Sequence, residues 1–130
     1  MGVIWAVCTI DSKMKEWLDS LKISYPNAPS RFPTGREIKS VLNELNNYDI
    51  EINDNGIEAT WQAEIVHKAG AGPWTSLIIS KYSGDDEPQE LYFEKGWEEL
   101  IREVLKKFSA VCGPLVLIND SDSTPVVISV

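Results

Sequence analysis

Apolar and polar residues alternate along the chain with two periods, one typical of helices and one typical of strands. Val3–Ile10 is a short apolar run rich in β-branched residues, which predicts a strand buried on both faces. Asp11 follows it at the position of a helix N-cap. The apolar residues behind Asp11 recur at the spacing of one helix face, namely Met14, Trp17, Leu18 and Leu21. The first two predicted elements are therefore a strand and a helix.

A second helix is predicted directly after the segment 24–35. That segment contains three prolines and is therefore predicted to be a loop. Thr34 and Glu37 have the spacing of a capping box, which marks the start of a helix. The buried side of this helix is predicted to carry Ile38, Val41, Leu42 and Leu45.

The middle of the chain has a period of two and predicts a meander of four antiparallel strands, at 48–54, 57–67, 74–82 and 90–94. Asn55 and Gly56 form the dipeptide that favours a two-residue hairpin turn between the first two of these strands. The alternation predicts that one set of residues in the second strand points inward, namely Ile57, Ala59, Trp61, Ala63, Ile65 and His67.

The most regular helical spacing comes last, in Trp97, Leu100, Ile101, Val104, Leu105 and Phe108. Gly113 ends this helix, and two short strands are predicted at Leu115–Ile118 and Pro125–Val130. The predicted order is β-α-α-β-β-β-β-α-β-β. It indicates one α+β domain over residues 1–130, in which a largely antiparallel sheet carries three helices packed mainly on one face.

The charge of the chain narrows the classes of partner. Twelve Lys and Arg stand against 20 Asp and Glu, which gives a formal net charge of −8. This balance argues against nucleic acid and against an anionic membrane surface as partners, because both require clustered cations. The segment 40–67 contains carboxylates and no Lys or Arg, which favours a basic protein as partner. With no long apolar segment and no leader, we expect a cytoplasmic protein.

Residues that could carry catalysis are few. His67 is the one histidine, and Cys8 and Cys112 lie far apart in the sequence without a partner at metal-ligand spacing. Glycine-rich phosphate loops and serine nucleophile motifs are also missing from the sequence. We therefore assign no catalytic residue, metal ion or cofactor, and the sequence favours a protein that is not an enzyme.

The first candidate site is the polar side of the predicted hairpin. Its outward residues are Asp49, Glu51, Glu58, Thr60, Gln62 and Glu64. Carboxylates crowded on one face of a sheet repel each other, which costs roughly a few tenths of a kcal/mol per pair. In a domain that binds Lys and Arg side chains of a partner, these carboxylates would form favourable ion pairs in the complex. A Mg²⁺ site and a solvated face without a ligand are the alternatives.

The second candidate site is the loop 24–35, which contains Tyr25, Arg31 and Phe32 and is followed by Arg36. Together with His67 and Trp74, these residues could form a pocket for a small molecule or a substrate. The alternative is a purely structural role, in which Tyr25 and Phe32 hold the loop against the core.

Small size, strong acidity and an acidic sheet face are typical of inhibitor or immunity-type proteins, which bind a basic partner through complementary charge. The sequence therefore predicts a non-enzymatic, acidic protein-binding domain. One alternative is a small-molecule binder or an enzyme with the pocket described above. Another is a homodimer or larger homo-oligomer of structural role, paired through strand 90–94 or strand 125–130.

Overall fold

The computed structural model describes residues 4–119 and 122–129, which form three helices and seven strands. Val3 and Val130, predicted to belong to the first and last strands, lie outside the described residues. The elements are β1 (Ile4–Thr9), α1 (Ser12–Ser20), α2 (Gly35–Asn43), β2 (Tyr48–Asp54), β3 (Trp61–His67), β4 (Trp74–Ile79), β5 (Tyr92–Glu94), α3 (Glu98–Cys112), β6 (Leu115–Asn119) and β7 (Asp122–Ile128).

All seven strands form one antiparallel sheet in the order β2-β3-β4-β5-β1-β6-β7. The predicted α+β class, the order of elements and the four-strand meander β2–β5 are confirmed. β1 lies between β5 and β6, so β5 is an interior strand. Pairing of two copies through residues 90–94 is therefore wrong, because both sides of β5 already carry neighbours.

The helices cover the two faces of the sheet unequally. α2 and α3 bury their apolar sides against one face, where Ile38 and Phe108 pack with Trp61 in the main core. α1 packs on the opposite face, where Leu18 contacts Ile10 and Val116 in a smaller cluster. Most of the helical surface thus covers one face, while α1 covers the other face only at the β1, β6 and β7 end.

The remaining part of that second face has no described helix over it. It consists of the residues of β2, β3, β4 and β5 that point away from the main core, and we call it the open face. Its members, by strand register, are Asp49, Glu51, Asn53, Gln62, Glu64, Val66, Trp74, Ser76, Ile78, Tyr92 and Glu94.

The connection between β2 and β3 is longer than the predicted two-residue turn. Residues 55–60 form a loop in which the Asp54 side chain accepts a hydrogen bond from the Gly56 N–H, and the Asn55 amide donates to the Thr60 carbonyl. These local bonds replace strand pairing. β3 consequently begins at Trp61, and Ile57 is exposed rather than pointing inward.

Two other residues predicted to lie on buried helix faces are exposed. Leu21 is the C-cap of α1, and Trp97 is the N-cap of α3. Each stands just outside its helix, where the helical spacing no longer determines the direction of the side chain.

Candidate functional site

Strand register arranges the open face in rows that cross the sheet. One row runs from Asp49 through Val66 to Trp74. The next row contains three carboxylates across four strands, and its members are Glu51, Glu64, Ser76 and Glu94. The third row consists of Asn53, Gln62, Ile78 and Tyr92. The sheet thus places acidic, aromatic and aliphatic side chains on one surface.

Glu51 and Glu64 are directly opposite each other on neighbouring strands, which lie about 4.8 Å apart in a sheet. Glu64 is held by two hydrogen bonds, from Gln62 Nε2 to Oε1 at 2.6 Å and from Ser76 Oγ to Oε2 at 2.7 Å. These bonds fix the Glu64 carboxylate opposite Glu51. Within residues 4–119 and 122–129, Asp49, Glu51 and Glu94 form no ion pair, so their charge is not compensated inside the fold.

Apolar side chains lie beside these carboxylates. Val66 and Trp74 are paired across β3 and β4 and are 38% and 39% exposed, so they form a small apolar patch open to solvent. Tryptophan is among the residues that carry most binding energy in protein interfaces. The combination of an aromatic anchor with surrounding charge is typical of a protein-binding surface.

Four of the six predicted hairpin residues lie on the open face, and two do not. Glu58 and Thr60 belong to the loop 55–60, because β3 starts at Trp61, four residues later than the predicted start at residue 57. Glu58 forms an ion pair with Lys81, with Nζ and Oε2 2.8 Å apart. The expectation that Glu58 and Thr60 project from the same strand face as Glu64 is therefore wrong.

Sequence reasoning did not assign Val66, Tyr92 or Glu94 to this surface, and it placed Trp74 in a pocket instead. The period of two shows which residues within one strand share a face, but it does not align one strand with the next. The residues between β4 and β5 form an irregular connection, so the position of Glu94 opposite Ser76 follows from the tertiary structure. The alternation of polar and apolar residues within 90–94 was the one sequence signal that Tyr92 and Glu94 share a face of their strand.

The side chains of the loop 24–35 make contacts within the protein. Arg31 forms two hydrogen bonds with the Glu37 carboxylate, at 2.7 and 3.0 Å, and a third with the Val111 carbonyl. The Tyr25 hydroxyl donates to Asp19 Oδ1, and Phe32 packs against the main core. These contacts favour the structural explanation of the loop, in which it connects α2 to the end of α3.

Arg36 is also engaged, since its guanidinium lies 2.9 Å from Asp86 Oδ1. Lys39, one turn later, forms an ion pair with Asp85 at 2.8 Å. Lys39 and the Tyr82 hydroxyl both hydrogen-bond to the Asp85 carboxylate, and they hold the pKa of Asp85 below its ordinary value. The start of α2 is thereby attached to the 83–90 connection.

His67 does not form a pocket with Trp74 and the loop. Its ring packs edge-on against Tyr48, and its Nδ1 accepts a hydrogen bond from the Ala69 N–H at 3.0 Å. Trp74 is paired with Val66 and therefore points to the opposite face from His67. The loop lies at the other end of the sheet, where Ser30 Oγ bonds to Ile10 and Pro114. The prediction that the loop 24–35, His67 and Trp74 line one pocket is therefore wrong.

A groove of about 910 Å³ lies elsewhere, between α1 and the sheet. Its walls include Met14 and Trp17 of α1, Cys8 of β1, and Tyr92 of β5. Phe32 also lines it, so one member of the predicted ligand loop does contribute to a concave surface. Tyr92 connects this groove to the open face.

Neither cysteine thiol has the lowered pKa that a nucleophilic thiol requires. Cys112 is buried, and burial raises the pKa of its thiol to about 11. Burial likewise raises the pKa of Cys8. In the part of the chain that the structure describes, no three His, Cys, Asp or Glu side chains are grouped as metal ligands.

Comparison with protein-family models, with curated proteins and with solved structures gave no match in any of the three cases. None of the described helices has both the length and the apolar character needed to cross a membrane.

Proposed function

We propose that this protein is a non-enzymatic binding protein of inhibitor or immunity type, which engages a basic protein through its open face. The observation that carries the proposal is the row formed by Glu51, Glu64 and Glu94. It lies next to the exposed Val66 and Trp74 and has no compensating ion pair among the described residues.

Electrostatics supports a basic partner. The chain has a net charge of −8, and carboxylates placed directly opposite one another in a sheet cost stability in the isolated protein. Lys and Arg side chains of a partner would remove this repulsion on binding. Opposite charges also accelerate association and give it a strong salt dependence. The apolar patch would supply contact area that the charges alone do not provide.

The test compares two variants of equal net charge. Asp49→Lys with Glu51→Lys reverses charge on the open face, whereas Glu16→Lys with Glu99→Lys makes the same change on exposed positions of α1 and α3. Each is used to capture partners from lysate of the source cells at low and high salt. We expect a basic protein to be retained by the wild type and by the α1/α3 variant at low salt, and to be lost with the open-face variant.

Equal retention by both variants would place the interface elsewhere and contradict the proposal. Capture of an acidic protein, or capture insensitive to salt, would also contradict it. Circular dichroism of all variants establishes that the substitutions leave the fold unchanged.

A second candidate function, small-molecule binding, is favoured by the groove between α1 and the sheet. Its volume of about 910 Å³ lies within the usual range for ligand pockets. Screening of small-molecule fragments by NMR would test it. Shifts confined to groove residues such as Met14 and Tyr92 would support this function, and scattered or absent shifts would oppose it.

A further inference from the structure

Among the described residues, 4–119 and 122–129, β2 is an edge strand with no neighbouring strand on its outer side. In an antiparallel sheet, half of the backbone N–H and C=O groups of an edge strand point away from the sheet and can pair with an added strand. The residues Asp49 to Asp54 are half-exposed or exposed along their whole length, so no described side chain or loop covers this edge. The opposite edge, β7, contains Pro125, which lacks an N–H donor.

The two faces of β2 differ in chemistry. Asp49 and Glu51 point to the open face, whereas Ile50 and Ile52 point to the face that carries α2 and α3. Ile52 is 46% exposed, and Ile57 in the following loop is 62% exposed. On β2 itself, the half-exposed Ile50 and the exposed Ile52 offer apolar contact to alternate residues of an incoming strand.

A second copy of β2 does not fit this edge well. Pairing β2 with itself in an antiparallel register would bring Asp49 and Glu51 of one copy close to the same carboxylates of the other, and like charges at cross-strand positions are destabilising. A strand with Lys or Arg at alternate positions would instead place each cation next to a carboxylate.

We propose that β2 accepts an extended segment of the partner as an eighth strand, with Lys or Arg facing Asp49 and Glu51 and apolar residues facing Ile50 and Ile52. This inference rests on the proposed function and specifies how the partner is recognised. Backbone hydrogen bonds supply affinity, and the alternation of cations with apolar side chains supplies specificity.

The probe is a capped seven-residue peptide of alternating Lys and Val, and its control has the same composition with Lys and Val in adjacent pairs. Binding is followed by NMR on the whole protein, together with hydrogen exchange of the backbone amides. We expect the alternating peptide to slow exchange at those β2 amides that point away from β3, and to bind about tenfold more tightly than the control. Glu51→Lys and Ile52→Lys should each weaken binding of the peptide by about tenfold.

Equal binding of the two peptides, protection at residues outside β2, or no binding of the alternating peptide would overturn strand addition. A failure of strand addition can be distinguished from a failure of the proposed function. If the captured partner is lost with the Asp49→Lys and Glu51→Lys variant but is unaffected by Ile52→Lys and leaves β2 exchange unchanged, the open face binds the partner without strand addition.

Discussion

Gly113 illustrates how a single residue joins two parts of the molecule. It ends α3 with a φ of +91°, a value that L side chains adopt only with strain. A Cβ built there would lie 1.9 Å from the Pro29 carbonyl oxygen, so the loop 24–35 passes directly against the helix end. The Arg31 N–H donates to the Cys112 carbonyl beside it. The loop is therefore fitted to a position that only glycine can occupy.

We expect Gly113→Ala to lower the free energy of unfolding by about 3 kcal/mol or more, because it combines backbone strain with a steric clash. Gly70→Ala is the matched control. Gly70 has a φ of +79° but open space around it, so its substitution should cost about 1 kcal/mol. Urea unfolding measures both. Similar losses in the two variants would show that the loop moves away without cost.

Cys112 provides a second prediction at this scale. Burial raises its pKa from 9.0 to about 11, so the native thiol stays protonated at pH 8 and should react slowly with a thiol reagent until the protein unfolds. The raised pKa also means that the folded state retains a proton that the unfolded state loses. The contribution of the protonated Cys112 thiol to the free energy of unfolding is therefore complete below pH 9, and it is lost as the pH rises toward 11. Rapid labelling of native Cys112 at pH 8 would contradict the predicted slow reaction of its thiol.

At the scale of elements, the start of α2 combines a local and a distant contribution. Thr34 and Glu37 form the capping box that their spacing predicts. Arg31 adds hydrogen bonds that hold the pKa of Glu37 below its ordinary value, and the Thr34 N–H contributes less. Glu37 therefore caps the helix and also fastens the loop 24–35.

Glu37→Gln should retain the cap, because an amide oxygen can still accept from the Thr34 N–H, but it removes the ion pair with Arg31. We expect a loss of about 0.5 kcal/mol at pH 7. Since the folded pKa of Glu37 is lowered, its contribution is present above the ordinary value of 4.5 and is lost as the pH falls through the folded value. The difference between wild type and variant in urea unfolding should consequently shrink at pH 3. A constant difference would mean that the ion pair contributes nothing.

At the scale of the whole molecule, the distribution of charge is the dominant feature. The fold compensates several acids through internal ion pairs, as with Asp85, Asp86 and Glu58, yet among the described residues the carboxylates of the open face have no ion-pair partner. An isolated protein gains no stability from that arrangement.

We expect Glu51→Gln to stabilise the free protein by about 0.3 kcal/mol at low salt, because it removes the repulsion with Glu64 across β2 and β3. The gain should largely disappear at 1 M salt, where exposed charges are screened over about 3 Å. Thermal unfolding at the two salt concentrations measures it. A destabilised Glu51→Gln variant would show that the carboxylate is held favourably in the free protein and would weaken the case for a basic partner.

Much of the fold could be predicted because it depends on local regularities. The capping box at Thr34, the helical spacing in α3 and the alternation in β2 each involve residues a few positions apart, and all three elements form where expected. The loop 55–60 could not be predicted, because it also bonds to a segment distant in the sequence. The Glu58 N–H donates to the Tyr82 carbonyl, and the Tyr82 N–H donates to the Ala59 carbonyl.

The sequence by itself determined the class of the fold, the acidic character and the outward position of Asp49, Glu51 and Glu64, because periodicity and charge are properties of neighbouring residues. Tertiary structure alone decided that α1 covers only one end of the second sheet face, that Glu94 and Trp74 join the carboxylates of β2 and β3, and that Arg31 serves the fold. Strand register and helix placement arise from contacts between distant segments, and no pattern within one segment contains that information.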